Sequence, residues 1–210
     1  PFFIAPTIPF STAGRYWRGI TPPTILSINS KPSPLPLDPE EPYHIAQAAK
    51  HLNLKHIVVT SVTRDDLADG GAEQFAQTII EIKKLLPKST VEVLVPDFEG
   101  SGDALQKVIN VYPEVINHNI ETVPRLYRLV RPKAVYENSL KLLKQIKIRD
   151  KDIISKSGIM IGLGEEEKEV VETMKDIISL RMFISGYYIT DNIILHMTHM
   201  SLSGRIRKHF

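Results

Sequence analysis

From Pro42 onward, segments with helical apolar spacing alternate with short runs rich in β-branched residues. The first helical segment spans residues 43–54, and the next residues, 55–62, contain the run IVVTSV. Further helical stripes then alternate with apolar runs. The helices are expected near 75–86, 104–112, 136–146 and 170–178, and the strands near 91–97, 114–121 and 158–163. This alternation is typical of βα units around a parallel sheet, so the sequence predicts an α/β fold.

Proline marks off the N-terminal part of the chain. Ten of the fifteen prolines lie between Pro1 and Pro42, where missing backbone donors and fixed φ angles disfavour helices and central strands. We therefore expect residues 1–42 to form an irregular, proline-rich arm that precedes the ordered βα part.

Composition excludes several functional classes. A net charge of +2 lacks the concentrated basic surface that nucleic-acid binders use, and no apolar run reaches the roughly 20 residues of a membrane-spanning helix. The N-terminus has neither an initiating Met nor a secretory signal, so we expect a non-secreted fragment whose true start is missing. The 210 residues contain no cysteine, which excludes disulfides, a cysteine nucleophile and thiolate ligands of zinc or iron–sulfur clusters.

Polar or glycine-bearing sequence follows each predicted strand. These segments read TSVTRDDLADGGA, VPDFEG, NHNIETVPRLYR and GLGEEE. In a parallel βα array the carboxyl ends of the strands share one edge, and such folds build their sites there from several loops. We call this edge the rim and expect the functional site on it.

The first rim segment carries three aspartates beside Arg64. Asp65, Asp66 and Asp69 could bind a cation, a ribose or an amino group. The alternative, which we favour for each one singly, is a capped loop whose carboxylates accept bonds from backbone N–H groups.

The third segment, residues 117–122, brings amides, an imidazole and a carboxylate together. Such groups are costly in a core unless each has a partner, so we interpret the segment, including His118, as functional. Arg125, Arg128 and Arg131 follow at three-residue intervals. They could face an anionic ligand from one side of a helix, or form a solvated basic face.

Other polar groups fit structural roles better. We interpret Glu165, Glu166 and Glu167 as compensating a helix dipole, and residues 162–164 as a tight glycine turn rather than a phosphate loop. His196 and His199 have a spacing compatible with metal ligation, but no third ligand is apparent. We therefore assign no metal ligand and no catalytic residue.

Long collinear motifs identify a family resemblance. The segments LDPEEP, VVTSVTRDDLADGGAEQFA, VEVLVPDFEG, VINHNIETVPRLYRLVRP and KSGIMIGLGE, with their spacings, resemble the lipoyl synthases over roughly residues 35–180. The resemblance implies a partial TIM-type (βα) barrel over 43–180 with a divergent C-terminal tail over 181–210. It also implies a cytoplasmic enzyme, or a mitochondrial or plastid one in a eukaryote.

The implied activity is that of a radical S-adenosylmethionine enzyme. Such an enzyme inserts two sulfur atoms into a protein-bound octanoyl group during lipoate biosynthesis. The resemblance implies S-adenosylmethionine and two 4Fe–4S clusters as cofactors. Its implied partners are an octanoylated lipoyl-carrier protein or domain and an electron donor such as ferredoxin or flavodoxin.

The cluster ligands of the family are missing from this sequence. The family's C-x-x-x-C-x-x-C run falls here on Gly19, Pro23 and Leu26, none of which supplies a thiolate. We therefore expect these residues, as written, to be catalytically inactive. One alternative is a silent barrel fragment or binding module from a frameshifted or truncated gene; another is an unrelated βα-barrel enzyme that uses Asp and His chemistry.

Matching positions in the motifs give the implied binding residues. The resemblance assigns S-adenosylmethionine or substrate contacts, without individual roles, to ten side chains: Ser61, Arg64, Asp65, Asp66, Asp97, Asn117, Asn119, Glu121, Arg125 and Lys156. We expect the asparagines and Glu121 to hold ribose hydroxyls or the methionyl ammonium, since those groups need acceptors in a dry pocket.

Overall fold

The fold was taken from a computed structural model that describes residues 2–6, 36–180, 183–190 and 193–200. Gly19, Pro23 and Leu26, the positions of the missing cysteines, lie outside these residues. In the described part of the chain, seven strands form one sheet in sequence order. They are β1 (Phe2–Pro6), β2 (His56–Ser61), β3 (Thr90–Leu94), β4 (Val115–Asn117), β5 (Ile154–Ile161), β6 (Phe183–Thr190) and β7 (Ile193–Met200).

The centre of the sheet is parallel. Strands β2 to β6 pair in parallel, and the antiparallel strands β1 and β7 flank them. The helices are α1 (Glu41–His51), α2 (Ala72–Leu85), α3 (Gly102–Ile109), α4 (Tyr127–Val130), α5 (Tyr136–Arg149) and α6 (Glu167–Ser179). Helices connect each parallel strand to the next, which confirms the predicted α/β array.

The helices pack on one face of the sheet, and the apolar core lies between them. Helix α2 shows why: Phe75, Ile79 and Ile82, spaced at helical intervals, are fully buried. They belong to the same core cluster as the strand residues Ile57, Val59, Val91, Val93 and Ile116. Because side chains alternate along a strand, His56, Glu92, Asn117 and Lys156 lie on the opposite face. We call this opposite face the inner face.

Two glycines turn the chain from the first rim loop into α2. Gly70 and Gly71 have φ angles of +61° and +86°, in the left-handed region that favours glycine. A Cβ atom at Gly70 would lie 3.0 Å from Cδ1 of Phe98. This position therefore requires glycine both for backbone conformation and for the close approach of the next rim loop.

Several element boundaries differ from the sequence prediction. The strand expected over 114–121 ends at Asn117, and Glu121, which has a φ of +69°, makes only an isolated bridge with Ile159. The strand expected over 158–163 begins earlier, at Ile154. Within the proline-rich arm, residues 2–6 form β1 instead of irregular chain, and α1 starts at Glu41. The proposed division at residues 42/43 and 180/181 stays a prediction.

Candidate functional site

The rim carries two buried amide oxygens with no hydrogen-bond partner among the described residues. They are Oδ1 of Asn117, which ends β4, and Oδ1 of Asn119. After Asn117 the chain continues along β5, since His118 N–H and Ile120 N–H donate to the carbonyls of Lys156 and Gly158. An unpaired buried acceptor costs about 1–3 kcal/mol, so these oxygens suit a ligand that donates hydrogen bonds.

Glu121 adds a carboxylate to the same loop. Burial raises the pKa of its carboxyl group, although the Asn119 side chain that bonds to it and the positive charge of Arg131 oppose that effect. Arg131 also donates to the Asn119 carbonyl at 2.9 Å and lies over the Tyr127 ring. The loop therefore presents three acceptor groups, and its bonds to β5 and to Arg131 fix its backbone.

Glu92 lies on the inner face beneath these groups. Its side chain is 6% exposed, and it accepts from Lys156 Nζ at 2.9 Å and Asn117 Nδ2 at 3.3 Å. His56 Nε2 lies 3.3 Å from its other carboxylate oxygen. Sequence reasoning found Asn117 and Lys156 but missed Glu92 and His56. The sequence did contain a signal for Glu92, since it is an acidic residue in the middle of the apolar strand β3.

The charged side chains of the first rim loop already have protein partners. Arg64 donates to both carboxylate oxygens of Asp66, at 2.8 and 2.7 Å, and this bonding lowers the pKa of Asp66. Asp69 accepts from the N–H groups of Gly71 and Glu73, each at 3.0 Å. The capped-loop interpretation is thus confirmed for Asp69. The exposed Asp65 lies 3.9 Å from Lys133, and Ser61 donates to the Val62 carbonyl.

Asp97 and Arg125 also have partners within the rim. Asp97 caps the 3₁₀ turn Phe98–Gly100 by accepting from Glu99 N–H at 3.1 Å. Arg125 donates to both carboxylate oxygens of Glu169 and to the Gly164 carbonyl, and it lowers the pKa of Glu169 to about 2. Arg125 therefore ties the loop after β4 to the loop after β5. Arg125 and Arg131 thus have different protein partners, and the proposal that they face an anionic ligand stays a prediction.

His118 belongs to the interior, contrary to the functional interpretation. It is 1% exposed, and its ring nitrogens lie 2.9 Å from the Val95 carbonyl oxygen and 2.9 Å from Ser139 Oγ. Burial lowers its pKa to about 4. A neutral imidazole that makes two hydrogen bonds satisfies both neighbours. His118 therefore stabilises the interior next to the rim and does not reach a ligand.

The loop after β5 confirms the structural interpretation of its glutamates. Glu165 accepts from the N–H groups of Gly162 and Leu163, while Glu166 and Glu169 form a capping box at the start of α6. Gly162 and Gly164 have positive φ angles, as a tight glycine turn requires. His196 and His199 lie on strand β7, not on a helix.

The donor set does not fit an iron–sulfur cluster. The sequence has no cysteine, and the described residues contain no group of three or more His, Asp or Glu that could hold a metal ion. Thiolates are the usual ligands of such clusters, so these residues offer no ligand set for one. Within the described residues, no helix is both long enough and apolar enough to cross a membrane.

The sequence matches one family model and several curated lipoyl synthases. The family model described as "Radical SAM superfamily" matches residues 17–177. A lipoyl synthase of Caldanaerobacter subterraneus subsp. tengcongensis is 60% identical over 161 residues, or 76% of this chain and 56% of that protein. One from Alkaliphilus metalliredigens is 55% identical over 142 residues, or 68% of this chain and 49% of that protein. The chain thus spans about half the length of the curated relatives it matches.

Solved structures show the same fold at low sequence identity. Methylornithine synthase aligns with a TM-score of 0.57 and 13% identity, over 72% of this chain and 44% of its own. Coproporphyrinogen III oxidase from Escherichia coli aligns with a TM-score of 0.54 and 13% identity, over 70% of this chain and 35% of its own. Together with the parallel sheet, these matches confirm the predicted partial α/β barrel.

Proposed function

Because the chain belongs to the radical SAM superfamily, we propose that the protein it represents is a lipoyl synthase. Such an enzyme inserts two sulfur atoms into a protein-bound octanoyl group. The similarity to lipoyl synthases over most of the chain supports this assignment. The single structural observation that carries the cofactor site is the pair of buried, unpartnered amide oxygens of Asn117 and Asn119 beside Glu121.

The rim is the proposed binding site for S-adenosylmethionine. Asn117, Asn119 and Glu121 supply acceptors for its ribose hydroxyls or its methionyl ammonium group, which are hydrogen-bond donors. The other proposed contacts with this cofactor or with the octanoyl substrate are Ser61, Arg64, Asp65, Asp66, Asp97, Arg125 and Lys156. Several of these already bond to protein neighbours, so their contribution includes shaping the loops.

The two 4Fe–4S clusters of the family do not fit these residues, and we derive no reaction step through them. Radical chemistry on S-adenosylmethionine in this family depends on a cluster, so we propose that the 210 residues as written bind the cofactor without turning it over. For the intact enzyme, the proposed partners are an octanoylated lipoyl-carrier protein and a reductant such as ferredoxin or flavodoxin, in the cytoplasm.

The absence of cysteine favours a second candidate function. A silent barrel fragment or binding module would keep the rim and bind S-adenosylmethionine without any catalytic role. Both candidates predict the same binding site, and they differ in whether the gene encodes cluster ligands. Resequencing the coding DNA across codons 11–30 and 181–210 separates them, because cysteine codons in a neighbouring frame support the enzyme and clean reads without them support the module.

Replacing either Asn117 or Glu121 with alanine is expected to weaken S-adenosylmethionine binding roughly tenfold. Each change removes a buried hydrogen bond to a polar or charged ligand group, and about 1.4 kcal/mol corresponds to tenfold. Equilibrium dialysis with radiolabelled S-adenosylmethionine measures the dissociation constant. The matched controls are Asn110→Ala, at the exposed C-cap of α3, and Glu137→Ala, at an exposed position in α5. Unchanged affinity in both rim variants would remove the proposed site.

Anaerobic reconstitution with iron and sulfide is expected to leave the chain colourless and without stoichiometric iron. The physical reason is that no thiolate is available to hold the metal. Visible absorbance and iron analysis after desalting check this result. A cysteine-containing lipoyl synthase treated in parallel serves as the positive control. Stable binding of about four irons per chain would contradict the exclusion and point to ligands other than cysteine.

A further inference from the structure

Glu92 is held at the centre of a polar cluster on the inner face, formed by Glu92, His56, Asn117 and Lys156. Lys156 Nζ and Asn117 Nδ2 both donate to Oε1 of Glu92, and His56 Nε2 lies beside Oε2. Both carboxylate oxygens are therefore engaged. The Glu92 side chain is 6% exposed, whereas that of Lys156 is 29% exposed, so the cluster is buried at Glu92 and partly open at Lys156.

This arrangement fixes which end of the Asn117 amide faces Glu92. An ionised carboxylate only accepts hydrogen bonds, so Asn117 must turn its NH₂ group toward Glu92. Its Oδ1 is then directed away from Glu92, and this atom is buried without a partner among the described residues. Reversing the amide would place two acceptors against each other. Glu92 therefore determines that Asn117, which is 25 residues away in sequence, keeps an acceptor for a ligand.

Lys156 strengthens this selection. It is a pure donor bonded to the same oxygen, Oε1, as Asn117. The side chain at position 92, which both residues contact, therefore has to present an acceptor. Cross-strand register brings the three groups together, since Asn117 pairs with Lys156 and lies diagonally across from Glu92.

We propose that Glu92 is a positioning residue that sets the polarity of the ligand contact at Asn117. The ligand group that meets Asn117 must then be a hydrogen-bond donor, which means a hydroxyl or an ammonium group and not a carboxylate, phosphate or ring nitrogen acceptor. This inference rests on the proposed function only in taking S-adenosylmethionine as the ligand, which carries donors of both kinds.

Two neutral replacements of Glu92 isolate the acceptor from the charge. Glu92→Gln keeps one acceptor oxygen. Lys156, which can only donate, holds that oxygen at the position where Asn117 also donates, so the side-chain amide of Asn117 keeps its orientation. Glu92→Met removes the acceptor. Both variants remove the negative charge that balances the Lys156 ammonium group. A purely electrostatic effect on the affinity for the cationic ligand would therefore be the same in both.

The binding test compares these two variants by equilibrium dialysis with S-adenosylmethionine. Glu92→Met is expected to bind roughly tenfold more weakly than Glu92→Gln, because Asn117 loses its fixed orientation. In an Asn117→Ala background the two Glu92 variants are expected to bind alike, since Glu92 then has no amide to orient. Equal binding of the two single variants, or a difference that persists without Asn117, overturns the proposal.

If the wild-type chain binds no S-adenosylmethionine, the proposed function fails but the positioning role of Glu92 is still open to test. A measurement without ligand then tests that role. The side-chain NH₂ signals of Asn117 are assigned in ¹⁵N spectra as the pair lost in Asn117→Ala. We expect hydrogen exchange of this pair to be unchanged in Glu92→Gln and roughly tenfold faster in Glu92→Met. Equal exchange rates in the two variants contradict the positioning role, whatever the ligand result.

Folding of the variants is checked by thermal unfolding. If Glu92→Met does not fold, the double variant Glu92→Met/Lys156→Met replaces it, because it leaves no unpaired lysine. Its comparison is then Lys156→Met, which keeps the Glu92 carboxylate as the acceptor for Asn117. The same tenfold difference in amide exchange is expected, and its absence overturns the proposal.

Discussion

His118 is expected to lower the free energy of unfolding by about 3 kcal/mol when the pH is lowered from 7 to 4, because it is buried without a charge. Its pKa is about 4 in the folded chain, against an ordinary value of 6.5. The unfolded chain therefore binds a proton in this interval before the folded chain does. The stabilising contribution is complete above pH 6.5 and is lost progressively as the pH falls toward 4.

Urea denaturation at half-unit pH steps measures this effect, with His118→Gln as the matched variant. Glutamine offers a donor and an acceptor but does not titrate, so the slope between pH 6.5 and 4.5 is expected to be much flatter in the variant. Asp66 and Glu169, whose pKa values are lowered, lose stabilisation only below their ordinary pKa values. Glu121, whose pKa is raised, works in the opposite direction. Identical slopes for wild type and variant would mean that His118 is not buried in a neutral form.

Replacing Phe75 with alanine is expected to lower the free energy of unfolding by about 3–5 kcal/mol. Phe75 is fully buried in α2, and its ring meets the edge of the Phe98 ring at a centroid distance of 6.5 Å and an interplanar angle of 89°. Truncation leaves a cavity beneath Phe98, which directly follows Asp97 on the rim. We therefore expect faster amide exchange in the 97–100 turn as well as lower global stability.

Two comparison variants make the Phe75 result specific. Phe75→Leu keeps most of the apolar volume and is expected to cost about 1 kcal/mol. Leu52→Ala changes a side chain that is 56% exposed and is expected to lie within about 0.5 kcal/mol of the wild type. Chemical denaturation with a shared m-value gives all three numbers. A loss below 1 kcal/mol for Phe75→Ala would show that α2 does not pack on the sheet as described.

The architecture was predictable because the relevant signals are local. The helical spacing of Phe75, Ile79 and Ile82 is visible within a few residues of the sequence, and these side chains are fully buried in the expected helix. Strand ends were less predictable, since β4 ends at Asn117 and Glu121, inside the expected strand, has a left-handed backbone. No pattern of apolar residues encodes such a conformation in an ordinary glutamate.

The candidate site was only partly predictable, because its partners are distant in sequence. Asn117, Asn119 and Glu121 were found together since they are contiguous. Glu92 was missed because Lys156, its partner, is 64 residues away. Arg125 was predicted as a ligand contact, and the structure pairs it with Glu169, 44 residues away. Whether it also contacts a ligand stays a prediction.

The amino-acid sequence alone determined the alternation of helices and strands, the exclusion of thiolate chemistry from these residues and the resemblance to lipoyl synthases. All three depend on residue types and short spacings that are visible along the chain. Only the tertiary structure decided that His118 is an interior group, that Arg125 joins two loops and that Asn117 donates to Glu92. The physical reason is that strand register and burial, which follow from packing the whole sheet, determine which polar atoms find a partner and which remain for a ligand.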